Sequence, residues 1–490
     1  MKYAQNGGNN VKSIVDNLLQ NYNHIVIYGA GGVAKDICKL IKEYVQEKTV
    51  SIAVTDCENN PAFLDDYLVY SINEVQNTFD KMQVFFIVAM MPESASKVKQ
   101  NLIRMGYAWV ITAEELVKQM YVKFYQNPVQ KGKIVFSNFS GRGYGCNPKS
   151  ICEELLKRGT DDLDCVWAAE NVDSDFPETV RVIAYGTEQY YYELATAQIW
   201  IDNQHKNFLS QKREGQYFVQ TWHGCGPLKK IEYDAPDLPR SYLELLDYNM
   251  KMVDLCLSGA EFCTQQYRRA FRYKGDIFEY GCPRNDVFFK TKMDHSKVRE
   301  KFSIASQTKV ILYAPTLREG ESNKIDAQLI LTACETLYAN PCILLIREHP
   351  KMAMQAGRYC FSKKIINASD YPDVQEILAV SDMLITDYSS IMWDFSLQKK
   401  PVFLYHPDAM DYEEERGFYL PFSAMPYIEA FDNHDLYFKI CNYQDESYQQ
   451  NLNEFFKRYK PFDQGRASVE VVNKLLEVIE NAKKTGNAKK

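Results

Sequence analysis

The sequence predicts an α/β protein, built as a small α/β domain followed by two larger α/β halves. Three observations carry that reading. Short apolar runs recur along the chain, each followed by a turn and a segment with helical spacing, and this alternation implies parallel sheets. The 490 residues accommodate about three domains at ~150 residues each. Two polar stretches, KFYQNPVQKGK at 123–133 and TKMDHSKVREKFSIASQTK at 291–309, read as connections and give domains at 1–125, 131–300 and 305–490.

In the first domain, HIVIYGAGG (24–32) is an apolar strand running into a glycine turn. VAKDICKLIKEYVQ (33–46) then sets Val33, Ile37, Leu40, Ile41 and Tyr44 on one side of a helix. TVSIAVTD (49–56) and QVFFIVAM (83–90) are the next strands. In the second domain, IVFSNFS (134–140) leads through a Gly/Asn-rich turn into the helix NPKSICEELLKRG (147–159). DCVWAA (164–169), AQIWID (197–202), YFVQTW (217–222) and MVDLCLSG (252–259) read as strands. The third domain has KVILYAPT (309–316), CILLIREHP (342–350), MLITDYSS (383–390) and PVFLYH (401–406), and the chain closes on a helix with a lysine-rich tail. The tyrosine run QYYYELA (189–195) reads as helical packing rather than a base-stacking surface.

Composition removes several function classes. Hydrophobic residues at 46% and charged residues at 25% are the balance of an ordinary globular protein. A net charge of -7 argues against a nucleic-acid partner held by bulk basicity. The longest apolar run, VFFIVAMM at 84–91, falls short of the ~20 residues that span a bilayer, so only peripheral membrane contact stays open. The N-terminus lacks the apolar core of an export signal. Thirteen cysteines without a C-x-x-C pair fit reduced thiols in a cytoplasmic protein.

Candidate chemistry gathers at strand ends. In QTWHGCGPLKK (220–230), His223 follows a strand beside Gly224 and Gly226, with Lys229 and Lys230 behind. A histidine titrates near neutrality and suits a general base that takes a proton from an alcohol; a lysine can neutralise phosphate. In ITDYSSIMWDF (385–395), Ser389 and Ser390 open a helix, an arrangement that offers hydroxyls and backbone N–H groups to phosphate. Asp387, being acidic, would repel a phosphate and is expected to orient a neighbour or fix the turn. LLIREHP (344–350) places Arg347, Glu348 and His349 at a strand end; YAPTLRE (313–319) does so with Thr316 and Arg318, and GCPRND (281–286) sets Arg284 in a turn. Such cationic groups facing one cleft would suit a diphosphate. YGAGGVA (28–34) fits G-x-G-x-x-A through Gly29, Gly31 and Ala34, with Asp56 after the next strand. That fingerprint suits NAD, but equally another small ligand, a protein contact or a structural turn. No D-x-D pair stands near these strand ends, and no obligatory metal or cofactor is expected.

In order, NPKSICEEL, AQIWIDN, QTWHG…LKK, GCPRND, YAPTLRE, REHP, TDYSS..WDF and RGFYL resemble the CDP-glycerol glycerophosphotransferase family, the teichoic-acid primases and polymerases and related capsule enzymes, from about residue 131 onward. The resemblance implies a two-domain fold of the GT-B glycosyltransferase type, the active site between its halves and the CDP donor on the C-terminal one. It implies transfer of a polyol phosphate from CDP-glycerol or CDP-ribitol to an acceptor hydroxyl, with release of CMP. His223 matches the motif histidine proposed as base, His349, Ser389 and Ser390 match donor-binding motifs, and Lys229, Arg284 and Arg318 match basic positions nearby. The acceptors implied are cell-surface glycans on lipid carriers, met at the inner face of the membrane. Residues 1–125 lie outside the match and look like Rossmann-type domains attached to polysaccharide enzymes. Three departures stand out: the extra glycine in HGCGPLKK, Glu232 where a glycine often follows the lysines, and SAMP (423–426) in place of a Pro-Gly pair. The polyol, the acceptor and the oligomeric state are left open, and the rival function is a nucleotide-sugar glycosyltransferase or a first-domain oxidoreductase or sensor.

Overall fold

The computed structural model describes residue 19 and residues 21–487, apart from 46–47, 59, 160–161, 173–175, 225, 227–228, 291–294, 317–324, 349–358 and 408–416. Three sheets, of six, seven and six strands, follow one another along the chain. The first holds β1 (His24–Tyr28), β2 (Thr49–Val54), β3 (Phe63–Leu64), β4 (Tyr67–Ser71), β5 (Val84–Val88) and β6 (Trp109–Thr112), in the order β3-β4-β2-β1-β5-β6. All pairs are parallel except β3 with β4. The second holds β7 (Gln130–Ser137), β8 (Asp164–Ala169), β9 (Arg181–Ala184), β10 (Ala197–Asp202), β11 (Tyr217–Gln220), β12 (Leu255–Leu257) and β13 (Asp276–Phe278). The third holds β14 (Lys309–Ala314), β15 (Cys342–Ile346), β16 (Ile365–Asn367), β17 (Met383–Thr386), β18 (Val402–Tyr405) and β19 (Ile428–Ala430).

The third sheet shows how the sequence positions a site. Its order is β16-β15-β14-β17-β18-β19, every pair parallel, with Ile311 opposite both Leu344 and Met383. Val310, Leu312, Leu345, Leu384 and Leu404 enter one core, and Ile311, Tyr313, Leu344, Ile385 and Phe403 enter another. Alternate side chains leave opposite faces of a strand, so a sheet covered on both sides reads as unbroken apolar runs. This is why these strands carry no polar alternation. The chain leaves β14 toward one edge and returns at β17 toward the other. The crevice beyond those two strand ends is the place where doubly wound sheets bind ligands.

By contact, the chain divides into two compact units, Met1–Arg142 with Asp162–Trp200 and His205–Tyr217, and Gly143–Asp161 with Ile201–Gln204 and Phe218–Lys490. Several expectations are corrected. The polar stretch before residue 134 is already strand from Gln130. Its backbone is satisfied by Gln198, whose Oε1 accepts from Gly132 N–H at 2.8 Å, and Lys133 is buried against Glu193 and Thr196. The stretch 291–309 includes a helix, Ser296–Lys301. Among the described residues eleven cysteines are free, but Cys282, buried in the GCPRND turn, is disulfide-bonded, so reduced thiols do not hold there. Among the described residues no helix is long and apolar enough to cross a membrane.

Candidate active site

The ends of β14 and β17 meet because the strands are paired through Ala314 and Thr386. Two residues past β14, Thr316 gives its N–H (2.9 and 3.0 Å) and its hydroxyl (2.9 Å) to the carboxylate of Asp387. Asp387 also accepts from Tyr388 N–H at 2.6 Å and is 1% exposed. It therefore fixes the turn that delivers Ser389 and Ser390, which precede the short helix Ile391–Ser396. At the neighbouring end of β15, Arg347 donates to the carbonyls of Ala368 and Tyr371, at 3.1 and 2.6 Å. That arginine is a tether for the strand end. Arg318 and His349, the remaining members of these two motifs, lie outside the described residues.

His223 stands three residues beyond β11. Trp222 before it is left-handed, at φ +52°, a conformation that costs a non-glycine residue roughly 1 kcal/mol or more. Buried polar groups hold the loop there. Asn147 Nδ2 donates to the carbonyls of Thr221 (3.3 Å) and Trp222 (3.1 Å), and Arg284 Nη1 donates to the carbonyl of His223 (2.7 Å). Nδ1 of His223 lies 2.6 Å from the carbonyl oxygen of Asn203. A carbonyl only accepts, so Nδ1 carries the proton and the neutral ring has its lone pair on Nε2. The Trp222 ring, 4.3 Å away centre to centre, packs against the imidazole.

These segments share one cavity of about 290 Å³, lined in part by Trp222, His223, Lys229, Gln266, Tyr267, Thr316, Ser389, Ser390 and Tyr419. Five of the residues singled out from sequence thus meet: His223, Lys229, Thr316, Ser389 and Ser390. Asp387 stands directly behind Thr316. Arg284 does not line this cavity; it is 7% exposed and pairs with Asp394 at 2.8 Å. Lys229 is placed by an antiparallel bridge to Phe418, followed by a 3.1 Å bond from Lys230 N–H to the carbonyl of Gly417. Gly226, the extra glycine of the motif, has φ +104°, and a Cβ there would lie 2.5 Å from the Trp393 ring. Its N–H donates to Cys263 Sγ at 3.1 Å. Burial pushes that thiol to about 12, so Cys263 stays protonated and is no nucleophile. Glu232 adopts φ +47°, the backbone that explains a glycine preference at this position. Its carboxylate accepts from Tyr242 hydroxyl at 3.0 Å.

In the first domain, Gly29 ends β1 with φ +124°, and a Cβ would lie 2.7 Å from the Ala89 carbonyl oxygen at the end of β5. Gly31 caps the helix Gly32–Ile41 with φ -98°. Asp56 is exposed and bonds locally, accepting from Glu58 N–H at 3.2 Å. The strand order around β1 is that of a dinucleotide fold.

Sequence reasoning did not assign Asn147, Asn203, Gln266, Tyr419 or Asp394. Four of these stood in quoted segments (NPK, WIDN, RGFYL and WDF), but a polar residue beside an apolar run looks the same whether it binds a ligand or a backbone. Tyr419 is held by its own bond, its hydroxyl donating to Asp234 at 2.7 Å. Among the described residues no group of three or more His, Cys, Asp or Glu could hold a metal ion.

Residues 119–477 match the family described as CDP-Glycerol:Poly(glycerophosphate) glycerophosphotransferase. The chain is 28% identical over 370 residues to a teichoic acid poly(glycerol phosphate) polymerase of Bacillus spizizenii, covering 71% of this chain and 93% of that one. It is 27% identical to the corresponding polymerase of Staphylococcus epidermidis, covering 83% of this chain but only 59% of the longer relative. A solved structure of the wall teichoic acid polymerase TagF superposes with a TM-score of 0.69 at 26% identity, covering 80% of this chain and 98% of that chain. The α/β fold of GT-B type is therefore the fold of this protein.

Proposed function

We propose a specific chemistry for this chain, which belongs to the CDP-glycerol:poly(glycerophosphate) glycerophosphotransferase family and is a polyol-phosphate transferase. An acceptor hydroxyl attacks the β-phosphorus of CDP-glycerol, or of a related CDP-polyol. The bond from that phosphorus to the bridging oxygen breaks, a phosphodiester forms, and CMP departs with the electron pair. The hydroxyl proton passes to Nε2 of His223. The observation that carries this reading is the commitment of Nδ1 to the Asn203 carbonyl within a cavity shared with Lys229, Thr316, Ser389 and Ser390.

Phosphoryl transfer needs positioning and charge stabilisation more than covalent help. Lys229 and the hydroxyls of Thr316, Ser389 and Ser390 take the phosphoryl oxygens, and Asp387 orients Thr316. Arg318 and His349 serve the donor phosphates by motif. Residues 131–300 serve the acceptor and 305–490 the CDP donor. The acceptor is a teichoic-acid-like glycan on a lipid carrier, reached by peripheral contact at the inner membrane face. Incubation with CDP-glycerol and, separately, with UDP-sugars tests this: CMP release from the first is expected, and UDP release from the second in its place would overturn it.

The first domain carries a second reading. Gly29 lies where the strand order reverses, with Asp56 beyond the adjacent β2, and a nucleotide such as NAD would rest on that turn. Calorimetry of the full chain with NAD decides it; no heat of binding leaves Gly29 and Gly31 a structural turn.

A further inference from the structure

We propose that Asp394 is a positioning residue for His223, acting through Arg284, which ties the histidine loop to the helix that follows the serine pair. The inference rests on His223 being the general base.

Asp394 sits one turn into the helix Ile391–Ser396, directly after Ser389 and Ser390. It is 1% exposed and its two oxygens are oriented by three donors. Arg284 Nη2 lies 2.8 Å from Oδ2, Asn285 Nδ2 lies 3.2 Å from Oδ1, and Gln375 Nε2 lies 3.3 Å from Oδ2. The other terminal nitrogen of the same guanidinium, Nη1, donates to the His223 carbonyl at 2.7 Å and to Cys146 Sγ at 3.2 Å. A guanidinium is planar and rigid, so fixing one edge aims the other. The circuit closes through Asn147: Arg284 N–H donates to Asn147 Oδ1 at 3.1 Å, while Asn147 Nδ2 holds the carbonyls of Thr221 and Trp222. Three consecutive carbonyls, 221 to 223, are thus anchored by Arg284 and Asn147. They hold the left-handed turn at Trp222 that aims the imidazole.

A buried ion pair is a weak source of stability, because desolvation offsets much of the attraction. What the pair does supply is direction, linking the His223 loop to the helix after Ser389 and Ser390, two segments that line the same cavity. Neither Arg284 nor Asp394 lines that cavity, so neither acts by touching the substrate there.

The test uses the full chain with CDP-glycerol, comparing wild type, Asp394→Asn, Arg284→Lys, His223→Ala and the His223→Ala/Asp394→Asn double variant. Asp394→Asn keeps the shape and removes the charge. A misplacement of the base near 1 Å costs on the order of 10²-fold, so kcat is expected to fall about 10- to 100-fold while KM for the donor stays within about threefold. In the His223→Ala background the same change should cost nothing further. Arg284→Lys, which keeps the charge but lacks the fork, should give the same split, and it carries the test if Asp394→Asn does not fold. Unchanged kcat in the folded variant, or an undiminished loss in the His223→Ala background, would overturn the proposal. Full turnover by His223→Ala would instead overturn the base assignment beneath it, and the single variant separates the two failures.

Discussion

The strand order reverses between β1 and β5 and again between β14 and β17, and these two reversal points differ in what they present. Between β1 and β5 the turn is all backbone: Gly29 approaches the Ala89 carbonyl so closely that a Cβ would sit 2.7 Å from it, and Asp56 is spent on a local bond to Glu58 N–H. Between β14 and β17 the turn is built from side chains. Asp387 grips Thr316 three times and hands the chain to two serines on the cavity wall. Topology makes a crevice in both places. In the second, side chains from separate segments line one cavity, with His223 and Lys229 arriving from beyond β11.

The sharpest way to break this contrast is His223→Ala. Loss of a general base typically costs 10²–10⁴ in rate, so CMP release should fall by that order while the circular dichroism spectrum is unchanged. Near-wild-type turnover would reduce the second crevice to the standing of the first.

Glycine substitutions sharpen the comparison at smaller scale. Gly226→Ala forces a Cβ to 2.5 Å from the Trp393 ring at φ +104°, and overpacking of that kind costs about 1–3 kcal/mol. Both melting temperature and CMP release should drop. Gly29→Ala should destabilise similarly but leave CMP release per folded molecule intact. Gly31→Ala, with nothing within 4 Å of its Cβ, should change stability by less than about 1 kcal/mol.

A pH dependence is expected from the buried carboxyl that shares the Asn285 amide with Asp394. Asp463 accepts from Cys282 N–H at 2.9 Å, and its burial raises the carboxyl from 3.8 to about 7. The folded state therefore keeps a proton that the unfolded chain has lost. This group's contribution to stability is fully present below about pH 4, declines as pH rises toward 7 and is lost above it. Asp463→Asn does not titrate, so its stability relative to wild type should rise between pH 4 and 7, read by denaturant unfolding across that range. A constant difference would remove the buried proton.

Much of this was legible because apolar runs are local signals. HIVIY, CILLI and MLIT announce buried parallel strands on their own, and the ordered motifs that follow CILLI and MLIT point to the family. The polar start of β7 was not legible, since KGK reads as linker until Gln198 and Glu193 supply its partners. Arg284 stood among the phosphate-facing basic residues by motif, yet it lies behind the cavity wall, paired with Asp394.

The residue pattern alone determined the α/β class, the alternation of strand and helix and the chemical types set at strand ends, because each depends on neighbours a few positions away. Which of those groups face one another was decided only by the tertiary structure. Asn203 and His223 lie twenty residues apart, and Arg284 and Asp394 more than a hundred, so their bonds exist only once the sheets have brought distant strand ends side by side.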